Sequence, residues 1–420
     1  MEKPESTIKN DTSSGLSESG LSVYGLPDSA SGLSVHRLSD SLSGLPDSGL
    51  SDSPTPGLSD PRLSDSSPRL PNYHSLTPRD QGYYFPAEFA PHLATWLSWP
   101  HNKESWPGKI ETIYPPYAQF IKELTKGELV RINVRDEVMQ EFATEHLIKA
   151  EVNLDRVQFF HHPTNDAWCR DHGPAFLINP DQKIKKIIVD WDYNAWGNKY
   201  PPYDLDDDIP TRVGLEFQLP VYFPGIVMEG GSVDFNGAGT LMTSTACLLN
   251  KNRNPHLQQA AIEKYLMDYY GVHQILWVED GIIGDDTDGH IDDTVRFVSE
   301  NTVLAVVEEN IQDENHLILD HNLKLLEDMR LLNGKALDII KLPMPDPLYY
   351  NGQRLPASYA NFYIANRSVI VPTFRSKKDD QALQIIQSCF KDREVVGIDS
   401  TDIIWGLGSF HCLSQQEPLV

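Results

Sequence analysis

Three polar clusters and one late cysteine carry the residue types that could do chemistry. The segment PTNDAWCRDHGPAF sets Asn165, Asp166, Trp168, Arg170, Asp171 and His172 between two apolar runs. A loop that places a Trp and a Cys among paired charges makes a poor solvated turn, so it is a functional candidate. GDDTDGHIDDTVRF crowds Asp285, Asp286, Asp288, His290, Asp292 and Asp293 ahead of the strand-like TVRFV. In an extended stretch side chains alternate with period two, so His290 and Asp292 would share a face and serve one site. In MEGGSVDFNGAG, Glu229 precedes Gly230 and Gly231, and a glycine pair lets a ligand approach closely, although a plain hairpin turn uses the same residues. Finally, FHCLSQQEPLV places Cys412 between His411 and the polar pair Gln415 and Gln416, just after the glycines of WGLGS.

A thiol, a His-x-Asp pair, a second Asp beside a Trp, and an extra Glu supply a nucleophile, a proton carrier and several carboxylates. That set suits attack on a cationic carbon. Guanidinium is such a centre: its planar N–H array matches two carboxylates, each charge-assisted bond worth roughly 1.5 to 3 kcal/mol away from water. The face of Trp168 can add about 1 to 2 kcal/mol of cation–π attraction. Other readings stay open on the residues alone. His-x-Asp with a distant second His, here His411, is also the ligand set of a facial-triad iron oxygenase. A calcium loop fits less well, because the required Gly and the spacing to a twelfth-position Glu are missing. DLDDDIP, with Asp204, Asp206, Asp207 and Asp208, reads as a solvated loop rather than a metal cage.

These groups must be positioned by a folded region, and the chain of 420 residues divides sharply. Residues 1–72 are built from Gly, Leu, Ser, Asp and Pro, with leucines recurring every five, seven or eight residues, which fits neither a helix face nor a solenoid. We read them as a disordered arm outside a catalytic domain over 73–420. From about Leu76, strand-like runs (ATWLSWP, LVRINVRD, VQFFHHP, KKIIVDWDY, QILWVED, NTVLAVVEE, ALDIIKLPM, SVIVPTF) alternate with helical spacing over 110–125, 137–149, 257–270, 313–330 and 379–391. In QQAAIEKYLMDYY, residues Ala261, Tyr265, Leu266 and Tyr269 are expected to line one face. Five helices among many strands imply an α/β chain of about five similar units.

The four cysteines, at 169, 247, 389 and 412, form no CxxC pair, so free thiols are expected rather than a disulfide framework or a zinc site. The formal charge is -25, of which residues 1–72 carry only -5. That balance disfavours nucleic acid and anionic lipid and mildly favours a cationic partner. The start MEKPESTIKNDTSS resembles neither a secretory signal nor a transit peptide, and no run of 18 apolar residues exists, so a cytoplasmic location is expected.

Taken together and in order, NDAWCRDHGPAF, WGNKYPPYDLDDDIP, EGGSVDFNGAGTLMTSTACLLNKNRNP, TDGHIDD, NFYIANRSVIVPTF and HCLSQQEP resemble the agmatine deiminases, within the larger family that includes bacterial-type peptidylarginine deiminase. The resemblance runs from about Thr77 to Pro418, and PAEFAPHLATWLSWPHN is similar to the family's opening strand. It implies the pentein fold, a five-bladed α/β propeller with pseudo-fivefold units around a central pocket. It implies that Cys412 is the nucleophile and His290 the general acid and base, while Asp171 and Asp292 grip the guanidinium nitrogens. Glu229 would accompany the His, Trp168 would form an aromatic wall, and Asp286 would meet the distal amine. The implied reaction converts agmatine to N-carbamoylputrescine and ammonia through an amidino-cysteine, in polyamine biosynthesis, with no metal or organic cofactor. The implied partner is this small cation rather than nucleic acid or a membrane; a homo-oligomer is left open. Cys412 is expected to react as a thiolate, its pKa lowered from about 8.5 by a protonated His.

Two features depart from the family pattern. Ser409 and Phe410 stand ahead of His411 where an Asn and an aliphatic residue are usual, which puts the shape of the pocket wall in doubt. Arg367 stands where a small residue is common. The alternatives are a bacterial-type peptidylarginine deiminase acting on a protein side chain, and a non-catalytic guanidine-binding scaffold, which would be expected to have lost at least one of Cys412, His290, Asp171 or Asp292.

Overall fold

Short β-branched runs pair by one rule that recurs in five sheets. The structure, a computed structural model, describes residues 76–420, so the arm expected over 1–72 lies outside the described residues. One sheet sets Ala175–Ile178 antiparallel to Lys186–Val189, which runs parallel to Val221–Tyr222. The same antiparallel-then-parallel order joins Val233–Phe235, Thr240–Ser244 and Gln274–Val278. It recurs in Val295–Phe297, Thr302–Val307 and Asp338–Pro343, and again in Tyr363–Ile364, Ser368–Thr373 and Glu394–Asp399. The fifth instance is assembled from both ends of the described chain. Ser414–Pro418 is antiparallel to His92–Ser98, which is parallel to Leu129–Asn133, with Val157–Phe160 added as a fourth strand.

Parallel neighbours need a crossover, and a helix supplies each. The five are Ile110–Leu124, Ile209–Phe217, Gln259–Tyr270, Asn315–Asp328 and Asp379–Cys389. The helical spacing in the sequence also counts five, but through two offsetting differences. Glu137–Lys149 is a helix, N-capped by the Asp136 carboxylate on the Met139 amide at 2.9 Å, yet it serves the added fourth strand rather than the repeat. Ile209–Phe217 is only nine residues long with Pro210 and Gly214 inside it, and its apolar residues four apart, Ile209, Val213 and Phe217, are too few to stand out in the sequence. The buried face of Gln259–Tyr270 is Ile262, Leu266 and Tyr270, which corrects the face expected from Ala261, Tyr265, Leu266 and Tyr269. Tyr265 and Tyr269 sit at the rim and stack on each other at 6.2 Å, because a tyrosine can bury its ring edge and keep its hydroxyl wet.

In every one of the five sheets the antiparallel edge strand is buried along its whole length. An exposed edge is a template for unwanted pairing, and here all five are turned inward. Each is preceded by a short polar turn. The turns are Cys169–His172, Gly230–Ser232 with Glu229 as its cap, Ile291–Asp293 with His290 as its cap, residues 358–361, and residues 411–412. No helix among the described residues is long and apolar enough to cross a membrane.

Candidate active site

Those five turns converge. Asp171 accepts from the Gly231 amide at 2.9 Å and from Trp196 Nε1 at 3.1 Å. Gly231 is needed for this approach: a Cβ there would lie 2.6 Å from His290 Nδ1 and 2.8 Å from Asp171 Oδ1. His290 Nδ1 faces two carboxylates, Asp171 at 3.8 Å and Asp292 at 4.0 Å, while Nε2 faces Glu229 at 4.0 Å. His290 and Asp292 do share one site, but not from an extended strand. A 3-10 turn over Ile291–Asp293 brings them together, because the Asp285 carboxylate pins the amides of Gly289 and His290 at 2.9 and 3.0 Å and bends the chain. Asp292 Oδ2 lies 2.6 Å from His411 Nδ1 and 3.5 Å from Cys412 Sγ, and Asn361 Nδ2 is 3.0 Å from the same sulfur. Arg253 holds Glu229 through Nε at 2.6 Å.

Trp168 forms a wall beside the thiol. It is buried, stacks on Trp106 with centroids 5.2 Å apart, and packs on the glycines of WGLGS. A Cβ at Gly408 would come within 2.6 Å of the Trp168 ring and 3.0 Å of Cys412 Cβ, so this glycine sets wall and thiol side by side. The unusual residues ahead of His411 point elsewhere. Phe410 packs on Phe120 at 4.9 Å in the core, and the Ser409 and Ser400 hydroxyls bond at 2.6 Å. The departure therefore falls on core packing rather than on the pocket. Arg367 is exposed in the turn before Ser368–Thr373, its carbonyl accepting from the Glu394 amide. Asp286 stands outside the cluster: it accepts from the Tyr200 hydroxyl and lies 3.4 Å from Lys199 Nζ. Tyr200 packs edge-on against Trp196 at 5.8 Å, so Asp286 ends a line of contacts that leads to Asp171. DLDDDIP is not simply solvated, since Asp206 is buried and accepts from the Asn165 amide at 2.8 Å, anchoring the loop that carries Trp168.

The electrostatics of this dry cluster are one-sided. Burial pushes Asp171 up to about 6, helped by Asp292 and Glu229 and opposed by His290. Burial also raises the Cys412 thiol well above its ordinary value, and the Asp292, Asp293 and Asp171 carboxylates raise it further. This reverses the lowering expected from a protonated His, because burial comes first and three carboxylates add to it. Desolvation alone would lower His290, but Asp171, the Cys247 thiol and Asp292 hold it well above the usual imidazole value. Asp292 is lowered despite burial, chiefly by its bond to His411. Three polar atoms here have no hydrogen-bond partner: both ring nitrogens of His290, and Asp292 Oδ1. His411 offers no open position to a metal, its nitrogens being taken by Asp292 and by Glu88 at 2.8 Å, which argues against the facial-triad reading.

The sequence model describing Porphyromonas-type peptidyl-arginine deiminases matches residues 84–418. The chain belongs to that family. It is 33% identical over 365 residues to the agmatine deiminase of Pseudomonas syringae pv. tomato, covering 81% of this chain and 97% of that one. Its fold is similar to the agmatine deiminase of Enterococcus faecalis, with a TM-score of 0.76 and 30% identity over 82% of this chain and 98% of that one. It is also similar to C. jejuni agmatine deiminase, solved as a Cys-to-Ser variant with substrate bound: TM-score 0.72, 33% identity, 80% of this chain and 96% of that one.

In this family member the residues missed from sequence are those with no chemistry of their own. Asn361 occupies the turn before the edge strand Tyr363–Ile364, the counterpart of Asp171, Glu229, His290 and Cys412 in the other sheets. Besides touching Cys412 Sγ, it donates to Asp293 at 3.0 Å and accepts from the His411 and Cys412 amides at 3.2 and 3.3 Å. It lies in NFYIANRSVIVPTF, so its place ahead of a strand was readable, but an amide draws no attention beside carboxylates and thiols. Glu88 and Arg253 are buried partners whose importance comes only from what they touch.

Proposed function

We propose that this protein hydrolyses agmatine to N-carbamoylputrescine and ammonia through an amidino-cysteine intermediate on Cys412, a step toward putrescine. The supporting observation is the ring of carboxylates around one thiol: Asp292 at 3.5 Å from Sγ, Asp171 beside it, and Asp292 Oδ1 with no partner. A guanidinium would satisfy these groups and cancel the charge that keeps the thiol protonated. Cation binding and thiolate formation are then one event, the thiol proton passing to solvent. The sulfur adds to the guanidinium carbon, His290 protonates the departing nitrogen, and ammonia leaves a thiouronium on Cys412. His290 next takes a proton from water, whose oxygen adds to the same carbon. The C–S bond breaks, the thiol recovers its proton and the urea product leaves, with the surplus proton going to ammonia. Asp171 and Asp292 hold the carbon for attack, and Trp168 covers its face.

The five sheets are blades of a propeller in this reading, with the buried edge strands around the pocket and residues 73–420 as the catalytic domain. Agmatine is favoured over a peptidyl-arginine by the likeness to the agmatine deiminases of Pseudomonas syringae pv. tomato and Enterococcus faecalis. Incubation with agmatine, arginine and a peptidyl-arginine, following ammonia and the ureido product, tests the assignment. Agmatine should lead in kcat/KM by at least about tenfold; a leading peptidyl-arginine would replace the substrate and leave the core chemistry intact.

A further inference from the structure

Behind His290, on the face away from Asp171 and Asp292, lies a second thiol that the proposed reaction does not use. Cys247 is fully buried in the turn Thr245–Leu248, its amide capped by Ser244 Oγ at 3.3 Å. Its sulfur is 4.0 Å from Glu229 Oε2, which is itself 4.0 Å from His290 Nε2, and the three atoms lie within 4.8 Å of one another. Each is oriented by a neighbour: Arg253 holds the other Glu229 oxygen, Asp285 pins the His290 amide, and Ser244 fixes Cys247. Both His290 nitrogens lack a hydrogen-bond partner although the side chain is 1% exposed.

We propose that Glu229, Cys247 and His290 form an inhibitory site for a borderline-soft divalent cation of the zinc type. One thiolate, one imidazole and one carboxylate oxygen are the ligand types of a three-coordinate zinc site, with water as the fourth ligand. Zinc bonds of about 2.0 to 2.3 Å require the ligand atoms to close by well under 1 Å each, within reach of side-chain adjustment. Calcium and magnesium, which demand many oxygens, find only one here. On binding, the Cys247 S–H bond breaks and its proton goes to solvent, the S–metal bond takes its place, and any proton on His290 leaves likewise; nothing is oxidised or reduced. The bound cation occupies the imidazole, so guanidine hydrolysis stops. That consequence rests on the proposed function, whereas the binding itself does not.

Cobalt(II), added to the full chain, reads the binding directly. One equivalent should give tetrahedral visible bands and a near-ultraviolet thiolate-to-cobalt band, in the wild type and in Cys412→Ser alike. In Cys247→Ser that band should vanish and zinc affinity should fall by at least about tenfold. A band lost in Cys412→Ser but kept in Cys247→Ser would move the metal to the other thiol and overturn the proposal, as would no band in the wild type. Should Cys247→Ser fail to fold, anomalous scattering from zinc-soaked wild-type crystals decides: a peak among the three side chains supports the site and a peak elsewhere rejects it. Loss of agmatine turnover when zinc is added tests the consequence separately, and a metal-free preparation that turns over no agmatine yet takes up cobalt with the band would sink the proposed function and leave the metal site standing.

Discussion

Two buried clusters of charge meet at the two nitrogens of His411, and they are built on opposite plans. On one side Glu88 accepts from Arg296 at 2.9 Å, Arg170 at 3.0 Å and the Ile364 amide at 2.8 Å, with His411 at 2.8 Å. Burial would raise this carboxyl, but Arg296, His411 and Arg170 hold it well below the usual range. Arg296 donates in turn to the Ala360 and Phe362 carbonyls, with its Nε 3.5 Å from Asp234, and Arg170 donates to Gln416. On the other side Asp171, Glu229, Asp292 and Asp293 crowd one imidazole and one thiol, with polar atoms left unpartnered. A buried ion that is fully paired ties elements together; one that is left short of counter-charge waits for a ligand that brings it. Burial alone does not separate the two clusters, whereas the balance of opposite charge does: Glu88 faces Arg170, Arg296 and His411.

That contrast can be broken or sharpened by substitution. The largest effect falls on the thiol: Cys412→Ser should lower kcat by roughly 10³-fold or more with an unchanged melting temperature, because an alkoxide forms far less readily than a thiolate. Mass spectrometry of wild-type enzyme quenched in turnover should find an amidine on Cys412, and an adduct on Cys169 instead would refute the assignment. Next, Glu88→Gln should destabilise the fold by about 3 to 5 kcal/mol, measured by urea unfolding, since Arg170 and Arg296 then lose a shared buried counter-ion. A loss under about 1 kcal/mol would show that this cluster is not structural.

Asp171→Asn should do the reverse. Folded Asp171 keeps its proton up to about 6, whereas the unfolded chain releases it near 3.9. Stability from this group therefore falls as pH rises between those values, and the penalty is complete above about pH 6. The variant should gain about 1 to 2 kcal/mol at pH 7, a gain that fades toward pH 4, while kcat/KM drops roughly 10- to 100-fold. Wild-type kcat/KM should also fall below about pH 6 as the carboxylate protonates, and the variant should lack that limb. Smallest is Asp286→Asn, expected to raise KM for agmatine about tenfold with kcat little changed, because Lys199 already offsets part of the charge of Asp286. An unchanged KM would remove Asp286 from substrate binding.

Much of this was legible in the sequence, and the limits have physical causes. Runs such as NTVLAVVEE and SVIVPTF announce strands because both faces of those strands are buried and apolar residues run on without alternation. Asp171, Glu229, His290, Asp292 and Cys412 announce themselves by chemistry, and the structure brings all five together. Asn361 did not, since its contribution is geometric, and Ile209–Phe217 did not, since nine residues with a proline and a glycine show only three apolar residues four apart. The direction of the Cys412 shift was misjudged for a further reason. A pKa depends on every charge within a few ångströms, and Asp171 and Asp293 approach the thiol only through the fold.

The pairing of Ser414–Pro418 with His92–Ser98 makes turnover a report on synthesis at least as far as residue 418. The thiol stands two residues ahead of the strand that completes this sheet, so a chain released from the ribosome before residue 411 has four of the five converging turns and no closing strand. Such a fragment cannot make a partly working enzyme, because the reactive group and the closing strand arrive together. A reactive thiol among exposed carboxylates would be a hazard in a half-folded intermediate. Here it emerges only when the strand that buries it is next to be made.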